Sequence, residues 1–303
     1  MNLVSQGIRS VVCTAVLLVA SAVLGCGIGL PGINRPTDSV VRLPPGQMTA
    51  ALPASDLAVG QDERFLLAVI APDNSLITDA TVNLTFFKVT GPGSAELRSR
   101  AEAVYRESPE LPGRGVYVAR TDFDEPGDWG VAAEVLRPDQ APTELRVGFT
   151  VKPRSSTPAI GDPVPASRTP TGNSPDEVER FSSARPADPA LYQLSVDQAL
   201  AARKPFAVLF ASPGFCVSQT CGPSVDVLRD LQEEYGDRAN FIHVEVYQDA
   251  QPPSYVPAVS EWGLPSEPWL FIVGSDGRLV EKLEGSITVE EARPALDSAT
   301  GTS

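Results

Sequence analysis

Two cysteines five positions apart, Cys216 and Cys221, lie in the stretch FASPGFCVSQTCGPSVDVL, between an apolar run and a helix-like pattern. Such a pair supports three kinds of chemistry: thiol–disulfide exchange, capture of a soft metal ion, or a covalent brace. Spacing restricts how the pair can close. In one straight helix the two residues would stand roughly 7.5 Å apart along the axis, at ~1.5 Å per residue, beyond the ~4.4 to 6.8 Å Cα separation of a disulfide. Cys216 is therefore expected in a loop. Pro223 agrees, because proline suits the first turn of a helix and is poorly tolerated further in. A helix beginning near Gly222 or Pro223 leaves Cys221 at its positive end, where the dipole favours a thiolate and lowers a thiol pKa from ~8.5 toward the ~3.5 to 7.5 range. On that ground Cys221 is expected to be the more activated thiol.

The elements around the pair read as an alternation of helix and strand. SVDQALAARK opens with Ser195 and Gln198 in a capping pattern, and PFAVLFA is a continuous apolar run of the kind buried on both faces of a sheet. Beyond the cysteines, Val225, Leu228, Leu231 and Tyr235 recur at helical spacing up to Gly236. NFIHVEVY, PWLFIV and RLVEKL read as strands, a short helical piece covers Pro257 to Trp262, and a last helix starts at Thr288. The predicted order over 191–303 is α-β-α-β-α-β-β-α.

Residues 46–152 are different in kind. RFLLAVIA, ATVNLTFFKV, GVYVARTDF, WGVAAEVL and LRVGFTVK are β-branched or aromatic segments separated by the turn signals APDN, GPG and EPGD. They predict an antiparallel immunoglobulin-like β-sandwich. Trp129 is expected in its core. With no His, no Cys and Met48 as its one methionine, this part is not expected to hold a soft metal. Residues 153–190, rich in proline, serine and threonine, predict an extended linker.

The chain has 303 residues and a net charge of -14. That charge argues against a nucleic-acid surface, which needs clustered Lys and Arg. At the N-terminus, Arg9 and the apolar run Val11 to Leu24 form a targeting pattern, and the closing VLGC resembles the lipobox of bacterial lipoproteins. The resemblance implies a signal peptide over 1–25, lipid modification of Cys26, a tether over 26–45, and an extracytoplasmic protein lipid-anchored to the membrane. Cys13 then leaves with the signal and Cys26 is lipidated, so Cys216 and Cys221 remain as the thiols of the mature chain. In an oxidising compartment they are expected to pair.

The order of elements, with cysteines at the end of the first strand of the C-terminal half, resembles the thioredoxin-like fold family, and EPWLFIVGSDGRLV is similar to the membrane-tethered TlpA and ResA type. The resemblance implies a C-terminal α/β thioredoxin-like domain and a cis-proline facing the cysteines, placed at Pro268 rather than Pro265. The pattern departs from the family, since four residues separate the cysteines. Either Cys216 takes the place of the family's nucleophile in an enlarged loop, or CGPS, Cys221 to Ser224, takes the place of Cys-Gly-Pro-Cys, with Ser224 replacing the second cysteine. The family's buried aspartate falls at Leu209 or Phe210 and is missing. Glu267 is a candidate base in its stead, or else a solvated loop carboxylate. His243 is either a group beneath the cysteines or a satisfied histidine in the sheet.

The function expected is a membrane-anchored extracytoplasmic thiol–disulfide oxidoreductase using Cys216 and Cys221, with Pro268 and Glu267 completing the site and no cofactor. Its expected partners are protein thiols or disulfides of the cell envelope and a membrane redox partner that resets the pair. Two alternatives stand beside it. One is a copper-binding chaperone similar to the Sco proteins, with Cys216, Cys221 and His243 as ligands. The other is a non-catalytic lipoprotein whose disulfide only braces the loop.

Overall fold

Apolar residues on every second position make strands of the first half. In Thr81–Gly91, for example, Val82, Leu84 and Phe86 are buried while Asn83, Thr85 and Phe87 are not. A computed structural model describes residues 46–107 and 112–301. Its first seven strands are β1 (Thr49–Ala51), β2 (Gly60–Ile70), β3 (Thr81–Gly91), β4 (Ser94–Arg106), β5 (Val116–Phe123), β6 (Gly127–Leu136) and β7 (Thr143–Val151). They form one antiparallel sheet in the order β1-β2-β5-β4-β3-β6-β7. Lys152 exchanges backbone hydrogen bonds with Leu57 and Val59, each at 2.9 Å, and so draws the two ends of the sheet together. The concave face is filled by Phe65, Phe86, Phe123 and Trp129 in edge-to-face contacts. Trp129 is 1% exposed and donates its indole N–H to Glu125 O.

This corrects the expected immunoglobulin-like sandwich. The strands belong to a single, nearly closed, barrel-like sheet rather than to two packed sheets. Inward and outward residues alternate identically in both architectures. The deciding feature is the backbone pairing at Lys152, which hydrophobic periodicity does not encode.

The second sheet consists of β8 (Phe206–Ala211), β9 (Asn240–Glu245), β10 (Trp269–Val273) and β11 (Leu279–Glu284), in the order β11-β10-β8-β9. Its helices are α1 (Pro175–Val178), α2 (Val196–Ala202), α3 (Cys221–Tyr235), α4 (Pro257–Glu261) and α5 (Val289–Thr300). All six residues of β8 are buried: Ala207, Leu209 and Ala211 pack in one cluster with residues of α3 and α5, and Phe206, Val208 and Phe210 in another with α2 and α4.

The expectation of an α/β thioredoxin-like C-terminal domain is likewise corrected. Among the described residues the protein is mostly β, 21% helical, with a large antiparallel sheet and a smaller second one. An α/β class rests on repeated parallel crossovers. Among the described strands of the second sheet β8 and β9 pair in parallel, while β10 runs antiparallel to both β8 and β11. The elements over 191–303 follow the expected order α-β-α-β-α-β-β-α, but order does not give direction.

Residues 153–190 are packed, contrary to the expected linker: Thr157, Val164, Ser167, Val178, Ser182 and Ala184 are buried. Val164 and Val178 pack into the apolar clusters of the second sheet, and the start of the segment is held by a buried carboxylate. Asp56 accepts hydrogen bonds from Ser155 Oγ, from the backbone N–H groups of Ser156 and Thr157, and from Lys152 Nζ at 2.9 Å. Composition counts the apolar area a segment can bury and has no view of a carboxylate elsewhere in the chain that orders it.

The two sheets are also joined directly. Arg64 on β2 pairs with Glu291 of α5 at 2.8 Å, with both side chains under 8% exposed, and donates to the backbone carbonyls of Glu284 and Ser286. Glu284, at the end of β11, accepts from the backbone N–H of Ser55 at 2.9 Å and from Ser266 Oγ at 2.8 Å. Ser266 immediately precedes Glu267, so the first sheet reaches the approach to the cysteines.

Candidate active site at the cysteine loop

The buried strand β8 ends at Ala211, and residues 212–220 form a loop before α3 begins at Cys221. Thr220 is the N-cap, and Pro223 lies in the first turn, where its missing N–H leaves no intrahelical bond unmade. Ser224 donates its hydroxyl to Thr220 O at 2.8 Å. Cys216 and Cys221 form a disulfide with a Cα separation of 6.0 Å. A backbone turn from Gln219 N–H to Cys216 O closes the loop, with Gln219 in the left-handed region at φ 63°.

The two sulfurs have different surroundings. Cys216 is half-buried, and its Sγ lies 3.2 Å from Ser218 Oγ in an exposed setting. Cys221 is fully buried, with its Sγ 3.6 Å from Glu267 Oε2. A disulfide sulfur carries no proton, so this is a contact in the oxidised state and becomes an S–H donor's path to a carboxylate once the bond is broken. Helix position favours Cys221 as a thiolate, as its place at the start of α3 implies, yet burial denies it to an outside reactant. The accessible sulfur is that of Cys216.

Glu267 precedes Pro268, which is buried and joined to it by a cis peptide, and β10 starts immediately afterwards at Trp269. Burial pushes the Glu267 carboxyl above the usual carboxylate range, and the negative charge of Glu245 adds to this, while hydrogen bonds from Ser212 pull against it. Ser212 Oγ donates to the same Oε2 that faces Cys221. The result is a carboxyl that holds a proton more readily than a solvated one and lies against the inner sulfur.

Ser183 and Glu245 are site residues that sequence patterns do not single out. Glu245 is 3% exposed, and its Oε2 accepts from Ser183 N at 2.7 Å and Ser183 Oγ at 2.6 Å. Ser183 Oγ in turn accepts from Gly214 N–H at 3.0 Å. The approach needs glycine: a Cβ on Gly214 would come 2.8 Å from Ser183 Cβ. These contacts cross 62 and 31 residues of chain, and no local signal marks them.

His243 is buried in β9, and both of its nitrogens are occupied. Ala211 O is an acceptor, so Nε2, 3.1 Å away, must carry the proton and donate. In the neutral ring Nδ1 then accepts from the Tyr192 hydroxyl. Burial lowers the His243 pKa to about 4, against a backbone hydrogen bond to Ala211 that raises it. His243 therefore ties β9 to the root of the loop and does not offer a lone pair beside the cysteines. Among the described residues no group of three or more His, Cys, Asp or Glu is arranged to hold a metal ion.

A cleft of about 680 Å³ runs between the first sheet and the loop, bordered by Asn74, Arg114, Ser218, Thr220, Ser266 and Glu267. Arg114 crosses it, donating from Nη1 to Gln219 Oε1 at 2.6 Å. The lipidation candidate Cys26 and the signal and tether over 1–45 lie outside the described residues. Among the described residues no helix is long and apolar enough to cross a membrane.

No protein-family model matches the chain, and no curated protein does. Among solved structures, the crystal structure of Trgpx in apo form is 13% identical, with 41% of this chain and 95% of that chain covered and a TM-score of 0.27. The PKD domain of human VPS10 domain-containing receptor SorCS2 is 14% identical, covering 50% of this chain and 99% of that one, with a TM-score of 0.19. The ZirS C-terminal domain is 10% identical, covering 48% and 86%, also at 0.19. Likeness at this level carries no argument about fold or activity, so the chemistry rests on the site itself.

Proposed function

We propose that the protein is a thiol–disulfide oxidoreductase in which Cys216 exchanges with outside partners and Cys221 is the internal resolving thiol. The observation that carries this reading is the 3.6 Å contact between Cys221 Sγ and the Glu267 carboxyl. A brace needs no proton acceptor, whereas exchange does. An external thiolate attacks Cys216 Sγ, the Cys216–Cys221 bond breaks, and its electron pair leaves on Cys221, which takes a proton from the Glu267 carboxyl. A second external thiol attacks the mixed disulfide and frees Cys216. Two thiols are oxidised to one disulfide and the protein gains two electrons and two protons. The reverse sequence forms the disulfide again, with Glu267 accepting the Cys221 proton. With one such pair in the mature chain, an external couple has to reset it, and a thiol or disulfide of an envelope protein is its natural reactant. The VLGC sequence supports placing this chemistry outside the cytoplasm on a lipid anchor at Cys26.

Single-cysteine variants test the reading. Cys221→Ser, challenged with a small disulfide, should accumulate a stable mixed disulfide on Cys216 detectable by mass spectrometry. Cys216→Ser should form none while folded. If the wild-type pair titrates well below about −300 mV, in the range of structural disulfides, the pair is a brace and the proposal fails.

A further inference from the structure

The cleft beside the disulfide is lined by small apolar side chains, hydroxyls and an amide, with three charged side chains among its borders. Two of these are acidic and already engaged. Glu284 is held by Ser55 and Ser266, and Glu267 by Ser212 and the inner sulfur. The third, Arg114, is the cleft's one cation. It is exposed, and among the described residues it meets no carboxylate; its bond to Gln219 uses one of five N–H donors on a neutral acceptor. Gln219 closes a turn on Cys216, and Ser218, between them, touches the Cys216 sulfur. The guanidinium thus stands against the same short turn that presents the accessible sulfur.

An attacking thiolate is an anion approaching a chain of net charge -14. The overall field opposes it, and the local guanidinium favours it. A carboxylate is a better acceptor for Arg114 than an amide oxygen, because the hydrogen bond is charge-assisted and can be bidentate. Resting on the exchange reading above, we propose that Arg114 selects thiols and disulfides that carry a carboxylate beside the reacting sulfur, trading its bond to Gln219 for that carboxylate as the substrate enters the cleft.

The test follows reduction of the oxidised full chain by three small thiols, with rates compared per thiolate: 3-mercaptopropionate (anionic), 2-mercaptoethanol (neutral) and cysteamine (cationic). The overall charge alone predicts that the anionic thiol is slowest. The proposal predicts that it exceeds the neutral one by about three- to fivefold, the scale of an exposed ion pair. Arg114→Gln should abolish that ratio and Arg114→Lys should keep part of it. Gln219→Ala, which removes the clamp but keeps the guanidinium, should preserve it. A parallel pair of short peptides, Asp-Cys against Asn-Cys, identifies the source: a preference confined to peptides assigns a polypeptide substrate, and one present in both series assigns the carboxylate alone. Reduction with no charge preference in either series, or an equal loss for all three thiols in both Arg114→Gln and Gln219→Ala, overturns this proposal and leaves exchange standing. A pair that no thiol reduces overturns both.

Discussion

The Tyr192 hydroxyl lies against His243 Nδ1 in the protein interior, and because Nε2–H is committed to Ala211 O, Nδ1 is the acceptor of that bond while the histidine is neutral. Burial holds the His243 pKa at about 4, below the 6.5 of an unfolded chain. The folded state therefore binds fewer protons than the unfolded state between those values, and stability falls as pH drops through that window. A gap of that size is worth on the order of 3 kcal/mol. Glu245, Glu267 and Glu284 have raised pKa values and act in the opposite direction on acidification. Their contribution cancels when wild type is compared with His243→Asn. Denaturant unfolding from pH 7 to pH 4 should show wild type losing more than the variant by that amount. Parallel curves would mean that the histidine is not held neutral.

Glu267→Gln addresses the chemistry. In disulfide formation the carboxylate must be free to take the Cys221 proton, so the rate should rise with pH through the raised Glu267 pKa. The glutamine keeps a partner for Ser212 Oγ but cannot accept that proton. Oxidation of the dithiol should slow by about 10², and the corresponding inflection should vanish from the pH–rate profile. A variant with the wild-type profile would remove Glu267 from the mechanism.

How much of this was legible in the sequence depends on the range of the interactions. Cys216 in a loop, Cys221 at a helix start and Trp129 in a core follow from spacing, Pro223 and strand alternation, all local signals. The barrel-like closure at Lys152, the antiparallel direction of β10, and the holding of 155–157 by Asp56 rest on contacts between distant segments. Glu267 is marked in the sequence by its neighbour Pro268. Ser183 and Glu245, equally close to the loop, have no such neighbour and carried no signal.

Arg64 and Glu291 test the junction between the sheets. Each leaves the other as a buried charge if removed, and Arg64 also serves the Glu284 and Ser286 carbonyls. Arg64→Ala should cost about 3 to 5 kcal/mol, whereas replacing both partners with leucine should cost clearly less, because no lone charge remains. Equilibrium unfolding of the two single variants and the double variant supplies the cycle. Additive losses would show that the pair does not couple the sheets.

Asp56 tests whether 153–190 is part of the fold or a tether. Burial pushes its pKa up, but hydrogen bonds from Ser155 and Ser156 and the Lys152 charge outweigh this and hold it below the usual carboxylate range. It stays ionised and organises three successive residues. Asp56→Ala removes the acceptor shared by Ser155 Oγ and the Ser156 and Thr157 N–H groups, and should cost about 1 to 3 kcal/mol in all. Trypsin has an exposed target next to this cluster at Arg154. In wild type, cutting there should be slow and track global unfolding; in Asp56→Ala it should become fast under conditions where the rest of the chain stays folded. Rapid cleavage of wild type at Arg154 would restore the tether, because a segment held by Asp56 has to be released before a protease can bind it.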